Sequence, residues 1–485
     1  GSSTSPAWSP DGEWIAFRAK RGEKTQIHVI RPFGGEAQAV TNEEENIGSF
    51  EWSPDGTQFA FTMQETEDKE DKEREKRFGA YEIDDADFKL SHLWLVDFQP
   101  DMMPMPQEMP CYEETSDSSD CITLPKATRL TEGDFTVSNF EWSPDGTKIA
   151  ITHQPNPLIM SFMKSDISIL DVASKELKPA VSNPSSDSFA AWAPDSRRFV
   201  YTSETDDTTS NFYTNNKVFI TNLSTGKTSR VGQLFDEAIG SIQWNPSGIF
   251  FAASQRTNRH FFQLDLGNGQ VKPVMTGEQT FGSYSFSKDG KTMAFSASDA
   301  THLSEIYKTS LANVKPQRMT NMTQQIADWP TMNSEVIKWR SEDDAEIEGV
   351  LHKPQNYDPT KKYPLLVIIH GGPTGVDRPA PVLTYVYPAM HWANKGALIL
   401  RVNYRGSAGY GEDFRSLNVR NLGVGDMWDV MSGVDYLIDR GMVDESKMGC
   451  MGWSQGGYIS AFLTTNTDRF QAISVGAGIS NWMTY

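Results

Sequence analysis

Gly452-Trp453-Ser454-Gln455-Gly456-Gly457-Tyr458 is the stretch on which the reading of this chain turns. It has the form G-x-S-x-G, in which a serine is held on a sharp turn between a strand and a helix. Side chains two positions before and two after the serine would collide as the backbone doubles back. Glycine at 452 and 456 removes them, and Gly457 lets the new helix lie close to the sheet. Lys447 to Gly452 reads as a short buried strand and Gln455 to Thr464 as a small-residue amphipathic helix, so the flanks suit the turn.

Upstream, the pattern is that of a sheet with crossover helices. Glu335 to Trp339 and Glu346 to His352 read as two antiparallel strands, and Leu365 to Ile369 as a strand buried on both faces. A helix near Thr384 to Lys395 leads to a second buried strand, Ala397 to Asn403. After the loop Tyr404 to Gly411 comes an amphipathic helix, Asp426 to Arg440, with Met427, Val430, Val434 and Leu437 at helical spacing. Phe470 to Val475 reads as one more strand. This alternation predicts a doubly wound parallel sheet with chemistry at the carboxyl ends of its strands, where Ser454 sits. The first buried strand runs into His370-Gly371-Gly372-Pro373, whose glycines let a backbone N–H face a carbonyl oxygen with no side chain in the way.

The first two thirds carry a repeat. Trp8-Ser9-Pro10-Asp11-Gly12 recurs at Trp52 to Gly56 and Trp142 to Gly146, then decays into Trp192 to Ser196, Trp244 to Gly248 and Phe286 to Gly290. Each copy precedes a short apolar strand such as Phe59-Ala60-Phe61 or Ile149-Ala150-Ile151. Ser-Pro starts a turn and Asp-Gly supplies the positive φ of a tight connection. Four short strands per unit predict β-propeller blades, six visible here in a propeller of six or more. The boundary is expected at 329/330, with insertions at about 64–91 and 100–125. Glu65 to Arg77 is charged enough for a solvated helix, and the proline- and methionine-rich second insertion reads as a long loop. Either decorates the surface or gates a channel. Glu43-Glu44-Glu45 reads as a solvated loop or as a place for a peptide amino terminus, and the single histidines His28, His92, His153, His260 and His302 as packed or surface residues.

With 485 residues, the chain is long enough for two or three domains. Its formal charge of −20 argues against nucleic acid or an anionic membrane as partner, since either would be repelled. No apolar run is long enough to span a bilayer. Of three cysteines, Cys450 reads as a small core residue; Cys111 and Cys121 are either a disulfide or two free thiols, which tilts the compartment toward periplasm or exterior. Neither C-x-x-C nor clustered histidine suggests a metal, and no cofactor is implied. Oligomeric state is not written in the sequence, and a homo-oligomer is compatible with it.

A propeller followed by His370-Gly371-Gly372-Pro373, Asn403-Tyr404-Arg405-Gly406-Ser407, Gly409-Tyr410-Gly411 and the elbow resembles the prolyl oligopeptidase family of serine peptidases, most of all its acylaminoacyl-peptidase and dipeptidyl-peptidase-5-like branch. The resemblance implies an α/β-hydrolase domain over 330–485 and a peptidase whose propeller admits only short or unstructured peptides. It implies Ser454 as nucleophile and the amides of Gln455 and Gly372 as oxyanion hole. It further implies that Ile479, Trp482 and Tyr485 wall the pocket for the side chain before the scissile bond; the two aromatics also read as ordinary core residues.

The chain departs from that pattern in one respect. In this fold the acid and the histidine of the triad follow the serine. Here no histidine follows Ser454, and the one acid, Asp468, comes too early. His352, His370 and His391 all precede it. A serine without a base is a poor nucleophile. The expectation is therefore a piece of a longer enzyme, cut after the elbow and the next strand, inactive by itself and completed by a segment or second fragment carrying Asp and His. Two rivals stand beside the peptidase: an esterase using the same oxyanion chemistry, and a non-catalytic binding propeller with a relic hydrolase domain.

Overall fold

The computed structural model describes residues 2–66, 69–79, 88–100, 124–204, 213–381 and 386–479. The chain forms two compact units, Gly1–Ser210 with Phe219–Ser229, and Asn211–Val218 with Arg230–Tyr485. Antiparallel four-stranded meanders fill residues 3–318. The first three run through Ser3–Trp8 to Gln38–Ala39, Ile47–Trp52 to Thr128–Arg129 and Thr136–Trp142 to Leu177–Val181. The fourth runs from Asp187–Trp192 to Lys227–Val231. The last two, Gly240–Asn245 to Val271–Met275 and Thr280–Phe286 to Asn313–Arg318, share a single bridge between Arg259 and Thr280. The second meander absorbs both insertions: Lys69–Phe78 is a helix, and the rest of the inserted sequence, with Cys111 and Cys121, lies largely outside the described residues.

The repeated turn explains why the meanders form. In Ser53-Pro54-Asp55-Gly56 the Ser53 hydroxyl donates to Asp55 Oδ1 at 2.7 Å, while Asp55 Oδ1 accepts the Thr57 amide at 3.0 Å and Ser53 Oγ the Gln58 amide at 2.9 Å. Gly56 has φ +75°, and its amide closes the turn on Ser53 O at 2.9 Å. The same bonds recur at Ser143 and Ser287. These donors hold the Asp55 and Asp289 carboxyls below the usual carboxylate range, first through the serine hydroxyl. The motif tryptophans join meanders: Trp52 Nε1 donates to Ala7 O at 3.3 Å and Trp192 Nε1 to Glu141 O at 3.0 Å.

In the second unit the mixed sheet runs, in spatial order, Asn333–Arg340, Glu346–Lys353, Leu398–Asn403, Tyr363–Ile369, Val443–Trp453 and Ala472–Gly476. The last four strands are parallel to one another. Val367, Ile369, Leu398, Leu400 and Val402 are fully buried, as strands covered on both faces require. Each such side chain contributes about 1.5–3 kcal/mol. Helix Gly425–Asp439 buries Val430, Val434 and Leu437 against this core. The helix expected from 384 is shorter, Ala389–Asn394, with 382–385 outside the described residues. A short helix, Gly411–Ser416, occurs where the sequence showed no helical period.

Candidate active site

Ser454 stands between strand Val443–Trp453 and helix Gln455–Asn466, with φ +57° and ψ −120°. A non-glycine residue pays about 1–3 kcal/mol for such a backbone, and holds it only where its surroundings leave no alternative. Here the surroundings are glycines. A Cβ on Gly452 would lie 2.2 Å from Gly456 O, one on Gly456 2.0 Å from Ile369 O, and one on Gly457 2.3 Å from Gly476 O. The Ser454 amide donates to Gly476 O at 2.9 Å, and Ser454 O accepts the Tyr458 amide at 2.9 Å. The side chain is half-buried, and its hydroxyl has no hydrogen-bond partner among the described residues. The Gln455 amide opens the helix, where an N–H has no intrahelical acceptor and the dipole favours negative charge.

The glycine loop reaches the same place through the sheet. Ile369 pairs with Gly452, so the chain leaving Ile369 passes beside the elbow. A Cβ on Gly371 would meet Ser454 Cβ at 3.0 Å. Gly372 has φ +133° and a cis bond to Pro373. Tyr404 stacks on the His370 ring at 4.5 Å between centroids and donates to His370 O at 3.0 Å. Both His370 nitrogens are engaged, Nδ1 with Gly371 O at 2.9 Å and Nε2 with Ser407 Oγ at 3.0 Å, and burial lowers its pKa. His370 is a strut of the loop.

Below the elbow lies a layer of buried charge that the sequence reading did not identify. Gln455 is buried, its Nε2 3.5 Å from Asp426 Oδ2, and burial pushes the Asp426 carboxyl up to about 7. Arg405, also buried, donates its amide and Nε to Asp429 Oδ2 at 2.7 and 3.0 Å and its terminal nitrogens to Asp429 and Asp343. A desolvated guanidinium persists only when paired in this way. The pair ties the loop after Asn403 to helix Gly425–Asp439. The same loop is held by Glu237, which accepts the Gly409 and Gly411 amides at 3.1 and 3.0 Å; burial pushes its carboxyl up to about 7. The one sequence signal was the unpaired look of an arginine inside an apolar, glycine-rich loop.

Of the residues expected at the site, Ser454 and Gln455 adjoin at the elbow, and Gly372 follows Gly371, which packs against Ser454 Cβ. Ile479 is buried just beyond strand Ala472–Gly476, whereas Trp482 and Tyr485 lie outside the described residues. No histidine hydrogen-bonds Ser454 among the described residues. His352 is wholly buried, bonded to Ser334 Oγ at 2.7 Å, and burial pushes it down to about 3; His391 is exposed on helix Ala389–Asn394. Cys450 is buried in the strand before the elbow, and burial pushes its thiol up to about 12.

Residues 385–485 match the model of the prolyl oligopeptidase family. Over 508 aligned positions the chain is 25% identical to dipeptidyl-peptidase 5 of Porphyromonas gingivalis, covering 98% of this chain and 70% of that protein. It is 24% identical to the uncharacterized peptidase YuxL of Bacillus subtilis, covering 100% and 74%. The solved structure of an acylaminoacyl peptidase in complex with Z-Gly-Gly-Phe-chloromethyl ketone matches at a TM-score of 0.77 and 21% identity, over 99% of this chain and 71% of that one. These likenesses show the fold, propeller-type sheets with an α/β-hydrolase sheet, and the resemblance to prolyl oligopeptidase family peptidases.

Proposed function

We propose that this chain acts as a serine peptidase of the prolyl oligopeptidase family on short peptides. The observation that carries the reading is the Ser454 backbone at φ +57°, held between three glycines that no side chain could replace, with Gly371 packed against its Cβ. Ser454 Oγ attacks the scissile carbonyl carbon and passes its proton to a base. The carbonyl oxygen becomes an oxyanion between the amides of Gln455 and Gly372, donors fixed before the charge develops. The intermediate collapses to an acyl-enzyme as the amine leaves, and water releases the acid. None of His352, His370 and His391 is arranged as that base. The meanders of residues 1–329 act as a propeller that limits entry to short peptides. Ile479 borders the pocket for the residue before the cut bond, and dipeptides or acyl-amino acids are the products.

The relatives named dipeptidyl-peptidase 5 and acylaminoacyl peptidase support a peptide substrate. The test is kcat/KM of the full-length protein on short peptide anilides, a folded protein and a simple aryl ester. Turnover of the anilides with the folded protein untouched is the expected result. Hydrolysis of the ester alone would replace the peptidase by an esterase, and no hydrolysis of any would leave the binding propeller.

A further inference from the structure

Two guanidiniums in the second unit lie side by side, and among the described residues neither forms an ion pair with a carboxylate. Arg378 lies on the loop that begins with His370-Gly371-Gly372, six residues beyond Gly372. It donates through its two terminal nitrogens to Ser254 Oγ at 2.8 Å and to Val376 O at 3.3 Å, and its buried Nε has no partner among the described residues. Ser254 pairs directly with Arg259 across strands Gly248–Gln255 and Asn258–Leu264, so the two side chains share a face and Arg378 sits beside Arg259. Arg259 donates to Phe281 O at 3.0 Å, to Gly282 O at 2.8 Å and to Ser241 Oγ at 2.8 Å, all neutral acceptors.

Neighbouring arginines behave differently. Arg256 pairs with Glu348, Arg401 with Asp377, and Arg405 with Asp429 and Asp343. The carboxylate next to Arg378 in sequence, Asp377, pairs through Oδ1 with Arg401 and makes no hydrogen bond to Arg378. Burial lowers the pKa of Arg378 and of Arg259; for Arg378 the nearby Arg259 lowers it further, and Asp377 offsets part of this. Two like charges held together at half-buried positions cost free energy that neutral acceptors do not offset. An anion between them would, because planar guanidiniums accept a carboxylate through paired hydrogen bonds.

We propose that Arg378 and Arg259 form a carboxylate-binding subsite, which takes a carboxylate of the short peptide bound beside the glycine loop. It rests on the peptidase reading and narrows its substrates to peptides whose carboxylate, terminal or on a side chain, lies close to the scissile bond. Both residues are specificity-determining and neither touches the reacting atoms.

The test is binding, which needs no turnover. Calorimetry with the full-length protein compares a tripeptide acid, the same tripeptide as its amide, and an amide bearing one internal aspartate. The expected result is that the acid binds roughly tenfold to a hundredfold more tightly than the plain amide. In Arg378→Gln that preference disappears while the plain amide binds as before, and Arg378→Lys keeps part of it. Arg259→Gln gives the same signature if Arg378→Gln fails to fold. Tight binding of the aspartate-bearing amide as well shows that the subsite also takes a side-chain carboxylate; its failure restricts the subsite to the terminus. Equal affinity for acid and plain amide in the parent protein, no binding of either, or an equal loss of both in the glutamine variants overturns the proposal. Fluorophosphonate labelling of Ser454 in the same samples reports separately on the peptidase reading.

Discussion

At the scale of single residues, the elbow is decided by what is missing. Gly456 approaches Ile369 O so closely that a Cβ there would sit 2.0 Å away, with His370 O a further 2.8 Å contact. Both are backbone atoms, which cannot swing aside. Gly456→Ala should therefore displace the glycine loop, lowering stability by roughly 3 kcal/mol or more and the melting temperature by several degrees in a thermal scan. Gly269→Ala, at a turn with open space around it, should cost about 1 kcal/mol, from its positive φ alone. Similar losses at both positions would contradict the packing argument. These glycines were legible in the sequence because the motif has only one geometry. Arg405, Asp429 and Asp343 were not, since they meet from positions 62 and 24 residues away, and only the folded chain brings the charges together.

At the scale of elements, strands and helices fell close to where periodicity placed them, within a few residues at their ends. The exceptions have physical reasons. Helix Gly411–Ser416 is held by its surroundings, with the Glu412 amide bonded to Asp236 Oδ1 at 3.0 Å, and no local pattern announces it. The connection out of the last meander is another such case. Glu305, wholly buried on strand Glu305–Ser310, accepts the Thr320 hydroxyl at 2.6 Å, the Met322 amide at 2.8 Å, and the Thr323 amide and hydroxyl at 2.7 Å each. Burial alone would raise its pKa; the four donors outweigh it and hold the carboxyl down to about 2. A depressed carboxylate contributes stability that is present above its unfolded value and lost as pH falls toward its folded one. Glu305→Gln should cost about 1–3 kcal/mol at neutral pH, with the difference from the parent shrinking between about pH 4.5 and pH 2 in denaturant titrations. A constant difference across that range would show that the charge is not what secures the segment.

At the scale of the whole molecule, the repeat and the elbow made both fold types legible before any coordinate. The turn motif carries its own hydrogen bonds, and Ser454 its own backbone. The layer beneath the elbow was hidden because its members belong to different parts of the chain: Asp426 and Asp429 to a helix, Glu237 to a loop ahead of the fifth meander, Arg405 to the segment after Asn403. The account stands or falls on Ser454 as the nucleophile. The direct measurement is fluorophosphonate labelling of the full-length protein, mapped by peptide mass spectrometry, beside a Ser454→Ala variant of unchanged melting temperature. One probe per chain, on the peptide bearing Ser454 and absent from the variant, is the predicted result. A parent protein that stays unlabelled, or a variant that labels equally, would contradict it.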